Sequence, residues 1–382
     1  MAKVSIIMPA FNVQTFLAEC MDSVIGQTLK DIEIICVDDG STDSTGEILD
    51  NYAGRDQRIK VIHKENTGYG NSMNIGLEAA TGEYVGIIET DDFAEKDMFE
   101  KLYETAKKHN ADVVKSNYYT YVSRPQPTST FFEVLEPFHN YDNVFCPLDF
   151  QEVFRVRPCI WSGLYRRAML EENQVRFSET PGASYQDTAF AFKVWTSAAR
   201  VVLLKEAYLH YRTDNANSSV KSAAKIFCLC DEYAEMEHFL DMYPEKKVRL
   251  EKLKNYLKYE SYRWNYERLS LEYKYCFLLR MKEELQEART QGNLDQSLFR
   301  DFQWKKLTMI LDDTDEFFRK SCEEERKKSH AGNLLKENKR LKKENKDLKA
   351  RLEELEASTS YKLGRKITYV PGKIKRKLKG SD

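Results

Sequence analysis

The sequence predicts an α/β fold on a mostly parallel, doubly wound sheet, and three observations carry that reading. Short apolar runs rich in Val and Ile recur at 4–8, 32–37, 59–63, 84–88 and 112–116. Runs this apolar suit strands covered on both faces. Helical periods lie between them, as where Phe16, Leu17, Cys20, Met21, Val24 and Ile25 fall on one face; such alternation argues for parallel strands with crossover helices. Finally, each of the first four strands runs into a polar loop: "PAFN", "DDGS", "KENTGYGN" and "ETDD".

In a parallel sheet those four loops converge on one edge, where open α/β sheets bind their ligands. That rule favours a functional role for Asp38 and Asp39 at the second strand's end. Ser41 and Asp43 read instead as caps of the following helix, and Gly68 and Gly70 as turn glycines entering another. No G-x-G-x-x-G follows the first strand and no G-x-x-x-x-G-K occurs, which disfavours nicotinamide cofactors and P-loop chemistry.

Composition narrows the classes further. The 382 residues carry 42% hydrophobic and 31% charged residues with a net charge of −2. That is enough for a core, with no global field for nucleic acid. Eight cysteines show no C-x-x-C pair, and Cys20 and Cys36 fall on apolar faces; reduced thiols in a cytosolic protein are expected. The opening "MAKVSIIMPAFN" enters a strand at once, too soon for a signal-peptide core. No run approaches the roughly 18 apolar residues of a membrane span.

Glu89, Asp91 and Asp92 raise the sharpest question, since like charges at a partly buried strand end raise one another's pKa. A helix cap accounts for one of them at most. A divalent cation would offset the repulsion, and Mg²⁺ or Mn²⁺ takes one or two carboxylates completed by phosphate oxygens. A pyrophosphate-bearing substrate fits that gap.

The stretches "VSIIMPAFN", "VDDGSTD", "NTGYGNSMNIGLEAATGEYV" and "ETDD" resemble, in order, the motifs of the family 2 glycosyltransferases of GT-A fold. The likeness covers about the first 120 residues and resumes over 158–220. It implies an inverting transferase using a nucleotide sugar, a UDP-sugar by resemblance alone. It further implies that Pro9, Phe11, Asn12 and Asp39 frame base and ribose. Asp38, Asn66, Asn74 and Glu89 join the donor set, and Asp91 and Asp92 hold ribose and metal. Which of Glu89, Asp91 and Asp92 touches the ion is left open. Two departures stand out: Glu89 opens the usual D-x-D-D pattern, and Met73 stands where many relatives carry Arg. Arg212, in "LHYRTDNANSSV", could supply the missing cation.

The second half of the family's site resembles "SYQDTAF", which makes Asp187 the catalytic base. Inverting displacement needs a carboxylate near the acceptor hydroxyl and help for the leaving diphosphate. The residues alone allow a helix-start acid equally. Gln186 and Trp161 are candidate acceptor contacts, although a Trp in an apolar stretch is commonly core. Residues 119–157, weakly patterned, are expected to connect segments near the acceptor.

The expected domains are 1–220 (a nucleotide-sugar half, 1–118, and an acceptor half, 119–220), a helical domain at 221–330, a coiled coil at 333–358 and a basic amphipathic tail at 359–382. Leu334, Asn338, Leu341, Asn345, Leu348, Leu352 and Leu355 alternate steps of four and three. Leu at d and Asn at two a positions suit a parallel homodimer. The tail mixes basic and apolar residues, as in segments that lie on anionic lipid. The expectation is a cytoplasmic enzyme on the membrane's inner face, working on a lipid-linked or cell-surface glycan. The alternative is a catalytically silent scaffold organising membrane glycan enzymes.

Overall fold

Seven residues of the first apolar run, Val4–Ala10 (β1), are all buried. So are six of seven in Ile32–Asp38 (β2) and all four of Tyr84–Ile87 (β4). Strands this apolar need cover on both faces, and the helices between them supply it. The structure is a computed structural model and describes residues 2–135, 140–183, 185–215 and 226–357, without the side chains of 328–335, 338, 352 and 355–357. Residues Met1–Leu307 form one compact unit and Thr308–Asp382 a second.

The first unit opens with β1, the helix Leu17–Ile25 (α1), β2, Thr45–Ala53 (α2), Ile59–His63 (β3), Tyr69–Ala79 (α3) and β4. After a two-residue strand, Phe93–Ala94 (β5), come Met98–His109 (α4), Val113–Val122 (β6), Thr128–Phe132 (β7) and Val144–Phe145 (β8). Then follow Gly163–Arg166 (β9), Arg167–Glu172 (α5), Gln186–Ser197 (α6) and Val201–Arg212 (β10). The ten strands form one sheet whose main path is β3-β2-β1-β4-β9-β6-β10-β5.

The first four strands on that path are mutually parallel. Beyond β4 the sheet is mixed. The antiparallel β9 is inserted between β4 and β6, so the fifth expected strand pairs with β9 and not with β4. Because β9 opposes both neighbours, β6 points the same way as β4, and β10 runs parallel to β6. The carboxyl ends of β1, β2, β3, β4 and β10 therefore share an edge. Segment 119–157 carries β7, β8 and the end of β6.

Helices Cys228–Asp241 (α7), Pro244–Arg268 (α8) and Leu271–Thr290 (α9) belong to the first unit too. Lys193 on α6 pairs with Glu235 on α7 at 2.5 Å. After Asp301–Asp312 (α10), the second unit contains Thr314–Ala357 (α11), a helix of 44 residues. It spans the expected heptads, with Leu341 and Leu348 exposed on the single chain. The basic segment 359–382 lies outside the described residues. No helix among the described residues is long and apolar enough to cross a membrane.

Candidate active site

The shared carboxyl edge encloses a cavity of about 680 Å³, within the range of small-molecule sites. Its walls come from every expected loop: Pro9 near the end of β1 with Phe11 and Asn12 after it, Asp39 after β2, Asn66 after β3, and Glu89 and Asp91 after β4. Trp161, Gln186 and Asp187 close the far side. Of the residues read from the sequence, Asp38, Asn74, Asp92 and Arg212 are not part of this lining. Neither is any described residue of 119–157.

At the end of β2 the two neighbouring acids part, as successive side chains leave a strand on opposite sides. Asp38, the last residue of β2, turns away: its Oδ1 accepts from the Ser41 amide at 3.0 Å, and its Oδ2 meets His63 Nδ1 at 2.9 Å. Asp39 turns inward and organises the next loop, accepting from the Thr67 amide at 2.9 Å and the Gly68 amide at 3.0 Å. Lys64 pairs with its Oδ1. Asn12, at φ 49°, accepts from the Thr42 amide at 2.8 Å, which ties the first two loops together. Asp43 accepts from the Thr45 amide at 2.9 Å, the helix-start role expected of it. Ser41 instead receives the Asn12 amide at 3.0 Å.

The acid cluster, in the turn that follows β4, divides as well. Glu89 faces the cavity and accepts from the Tyr69 hydroxyl at 2.6 Å. Burial, helped by the charges of Asp91 and Asp187, pushes it up to about 8. Asp91 faces the cavity and accepts from Asn215 Nδ2 at 2.8 Å. Asp92 lies behind: its Oδ1 accepts from the Arg212 amide at 2.8 Å. Its buried Oδ2 has no partner among the described residues. Burial foremost, then the charge of Asp91, holds the Asp92 carboxyl well above the usual carboxylate range.

These acids fit a divalent cation as a partial ligand set. Asp91 offers oxygen to the cavity, and Asp92 keeps a buried oxygen unpaired beside it. No group of three His, Cys, Asp or Glu side chains converges among the described residues. The protein would thus supply one or two carboxylates, leaving the remaining positions to phosphate oxygens and water, as Mg²⁺ and Mn²⁺ prefer.

Arg212 is buried beneath this edge. Its guanidinium lies 4.7 Å from the Phe16 ring centroid and 4.8 Å from that of Tyr121. It pairs with Glu19 and donates to the Asp91 carbonyl at 2.8 Å. His210, two residues earlier, stacks between Phe93 and Tyr119 at 4.4 and 4.8 Å and meets Glu95 at 2.9 Å, a packing role.

The opposite wall is held to the donor loops by close backbone approach. A Cβ on Gly70 would meet the Ser178 carbonyl oxygen at 1.9 Å. Gly68, at φ +100°, leaves 2.8 Å between a notional Cβ and the Gly182 amide nitrogen. Both glycines serve docking of the 178–182 segment as well as the turn. Asn74 completes the bracket, donating to the Phe177 carbonyl at 3.0 Å and accepting its amide at 2.8 Å. Gln186 donates to Thr180 Oγ1 at 2.9 Å and to the Gly182 carbonyl at 3.0 Å. Both side chains therefore hold the loop.

Asp187 stands in the first turn of α6. Burial raises its carboxyl to about 6, against the lowering hydrogen bonds of Thr188 and the positive charge of Arg157. Trp161 is stacked on Tyr211 at 5.0 Å and only 8% exposed, so it is mainly core with an edge on the cavity. Phe16, Tyr69, Thr90, Tyr185, Tyr211 and Asn215 also line the cavity. Sequence reasoning missed them; Tyr69, inside "NTGYGN", carried the clearest signal.

The model of "Glycosyl transferase family 2" matches residues 5–170. Glycosyltransferase GlyG of Streptococcus pneumoniae is 32% identical over 223 residues, covering 55% of this chain and 70% of that protein. The chain belongs to glycosyltransferase family 2. Another relative in this enzyme family, the uncharacterized glycosyltransferase EpsJ of Bacillus subtilis, is 36% identical over 232 residues. That match spans 56% of this chain and 62% of EpsJ, less than two thirds of the relative's length. A crystal structure of residues 1–349 of Staphylococcus aureus TarS with UDP-GlcNAc superposes with a TM-score of 0.61 at 20% identity. It covers 85% of this chain and 92% of that one, so the likeness in fold extends past the matched family segment into the helices.

Proposed function

We propose that this family 2 chain is an inverting glycosyltransferase that moves one sugar from a UDP-sugar to a hydroxyl of a lipid-linked or cell-surface polysaccharide precursor. The observation that carries this reading is the facing of two kinds of acid across one cavity. Glu89 and Asp91 stand at the sheet edge, and Asp187 on α6 is close enough for its charge to act on Glu89. The UDP-GlcNAc held by the TarS structure supports the choice of a uridine donor.

In this reading Pro9, Phe11, Asn12, Asp39 and Asn66 surround the nucleoside, and the diphosphate lies against Asp91. A Mg²⁺ or Mn²⁺ ion held by Asp91, with Asp92 behind it, would supply charge stabilisation for the leaving diphosphate. Asp187 accepts the acceptor hydroxyl's proton as the oxygen attacks the anomeric carbon from the face opposite the diphosphate. A carboxyl at about 6 is ionised at neutral pH yet basic enough for that task. Arg212, near Asp91 but paired with Glu19, would reach phosphate only by leaving that partner.

We further propose that 334–355 pairs two copies as a parallel coiled coil, and that the basic segment 359–382 attaches the enzyme to anionic lipid at the cytoplasmic face. The test is a panel of UDP- and GDP-sugars screened by thermal shift with Mn²⁺, followed by UDP-release assays. A UDP-sugar that stabilises the chain and is turned over supports the reading, and Asp187→Asn should remove the turnover. A chain that neither binds nor consumes any donor would leave the scaffold alternative.

A further inference from the structure

The helical segment that follows the sheet touches the cavity wall at Tyr185. This residue lines the cavity two positions before Asp187. Its backbone is left-handed, at φ 70° and ψ 23°, a region that a bulky side chain occupies only when its surroundings hold it there. Those surroundings come from α8. The Trp264 ring meets Tyr185 edge-on, with centroids 5.7 Å apart at 85°. The Arg268 guanidinium lies 5.3 Å from the Tyr185 centroid and 5.2 Å from that of Trp264.

Two features of this cluster exceed what packing needs. Trp264 is 43% exposed, whereas Trp161 and Trp195 are 8% and 4% exposed; an indole recruited only to hold Tyr185 would be covered. The Tyr185 hydroxyl, beside the base, is buried without a partner among the described residues, although buried phenols ordinarily find one. An exposed indole and a guanidinium thus lie against Tyr185, a residue of the cavity wall. Their chemistry suits a pyranose ring, whose C–H face packs on indole while its hydroxyls take hydrogen bonds.

We propose that Trp264 and Tyr185, steadied by Arg268, form a subsite for the sugar unit next to the acceptor's reacting hydroxyl. The inference rests on the glycosyltransferase reading above. It makes the acceptor an oligosaccharide of at least two units and gives α8 a part in selecting it. Asp187 then works on the first unit while Trp264 carries the second.

The test uses the full chain labelled with 5-fluorotryptophan, whose four tryptophans give separate ¹⁹F resonances; Trp264→Phe assigns one of them. Cellobiose, lactose and chitobiose are titrated against glucose, galactose and N-acetylglucosamine with saturating UDP. At least one disaccharide should shift the Trp264 resonance and bind about fivefold or more tighter than its monosaccharide. Trp264→Ala should weaken that binding about tenfold, the scale of a lost ring contact, while leaving UDP affinity unchanged; Trp264→Phe should lose less. If UDP binds but no disaccharide binds, or one binds without moving the Trp264 resonance, or Trp264→Ala binds as well as the parent, the subsite is overturned. If UDP fails to bind, the donor reading falls and the subsite with it.

Discussion

Replacing Asp187 by Asn should remove activity and raise stability at once, and the two effects have separate pH signatures. Burial lifts this carboxyl from its ordinary 3.8 to about 6. A carboxyl that holds its proton more tightly when folded costs nothing below the unfolded pKa. The penalty grows between about pH 4 and 6 and is complete above the folded value. Two pKa units correspond to about 3 kcal/mol. Water in the cavity screens part of that, so about 1–3 kcal/mol is expected at pH 7.5. Asn carries no charge, so Asp187→Asn should melt a few degrees above the parent at pH 7.5 and together with it at pH 4. UDP release in the presence of acceptor should fall about 10²- to 10⁴-fold, the usual share of a general base. The parent's kcat/KM should rise with pH through about 6 as the base ionises. An Asn variant that turns over normally would refute the base assignment. One that melts no higher than the parent at pH 7.5 would refute the burial argument.

Three further outcomes follow from the geometry. Asp91→Ala should weaken Mn²⁺-dependent binding of UDP at least about tenfold by calorimetry, the effect of losing a charge-assisted contact; equal affinity with and without the ion, in parent and variant alike, would count against the cation site. Gly70→Ala forces a methyl against the Ser178 carbonyl and should cost about 1–3 kcal/mol in urea unfolding; a neutral result would mean that the acceptor loop docks otherwise. Leu341→Glu with Leu348→Glu, at two exposed heptad positions, should turn a sedimenting dimer into a monomer without affecting UDP release from the donor; a parent already monomeric at micromolar concentration would remove the coiled-coil proposal.

The clearest strands in the sequence are those buried on both faces, since β1, β2 and β4 leave no polar alternation to confuse the pattern; β3 was legible from Ile59, Val61 and Ile62 although Lys60 and His63 are exposed. β9 was hidden because only four residues pair there, between a short 3₁₀ turn and α5. The long β10 was hidden by Lys205 and Glu206, exposed where its register shifts against β6. At the site, ligand-edge reasoning found the right loops but could not say which of two adjacent acids faces inward. Asp39 and Asp91 line the cavity, whereas Asp38 is drawn to Ser41 and His63 and Asp92 to the Arg212 amide, partners that lie on other segments. Gln186 holds the 177–182 segment through Thr180 and Gly182 within its own loop, and Asn74 holds it through Phe177, 103 residues away, a pairing that leaves no local signature. The same holds for Tyr185, whose left-handed backbone is fixed by side chains of α8.

The most direct measurement is a crystal structure of the chain with an unhydrolysed UDP-sugar and Mn²⁺. The diphosphate should lie against Asp91, with the anomeric carbon open toward Asp187 on the face opposite the leaving phosphate. A donor bound with Asp187 on its phosphate side, or with neither phosphate nor ion near Asp91, would contradict the account.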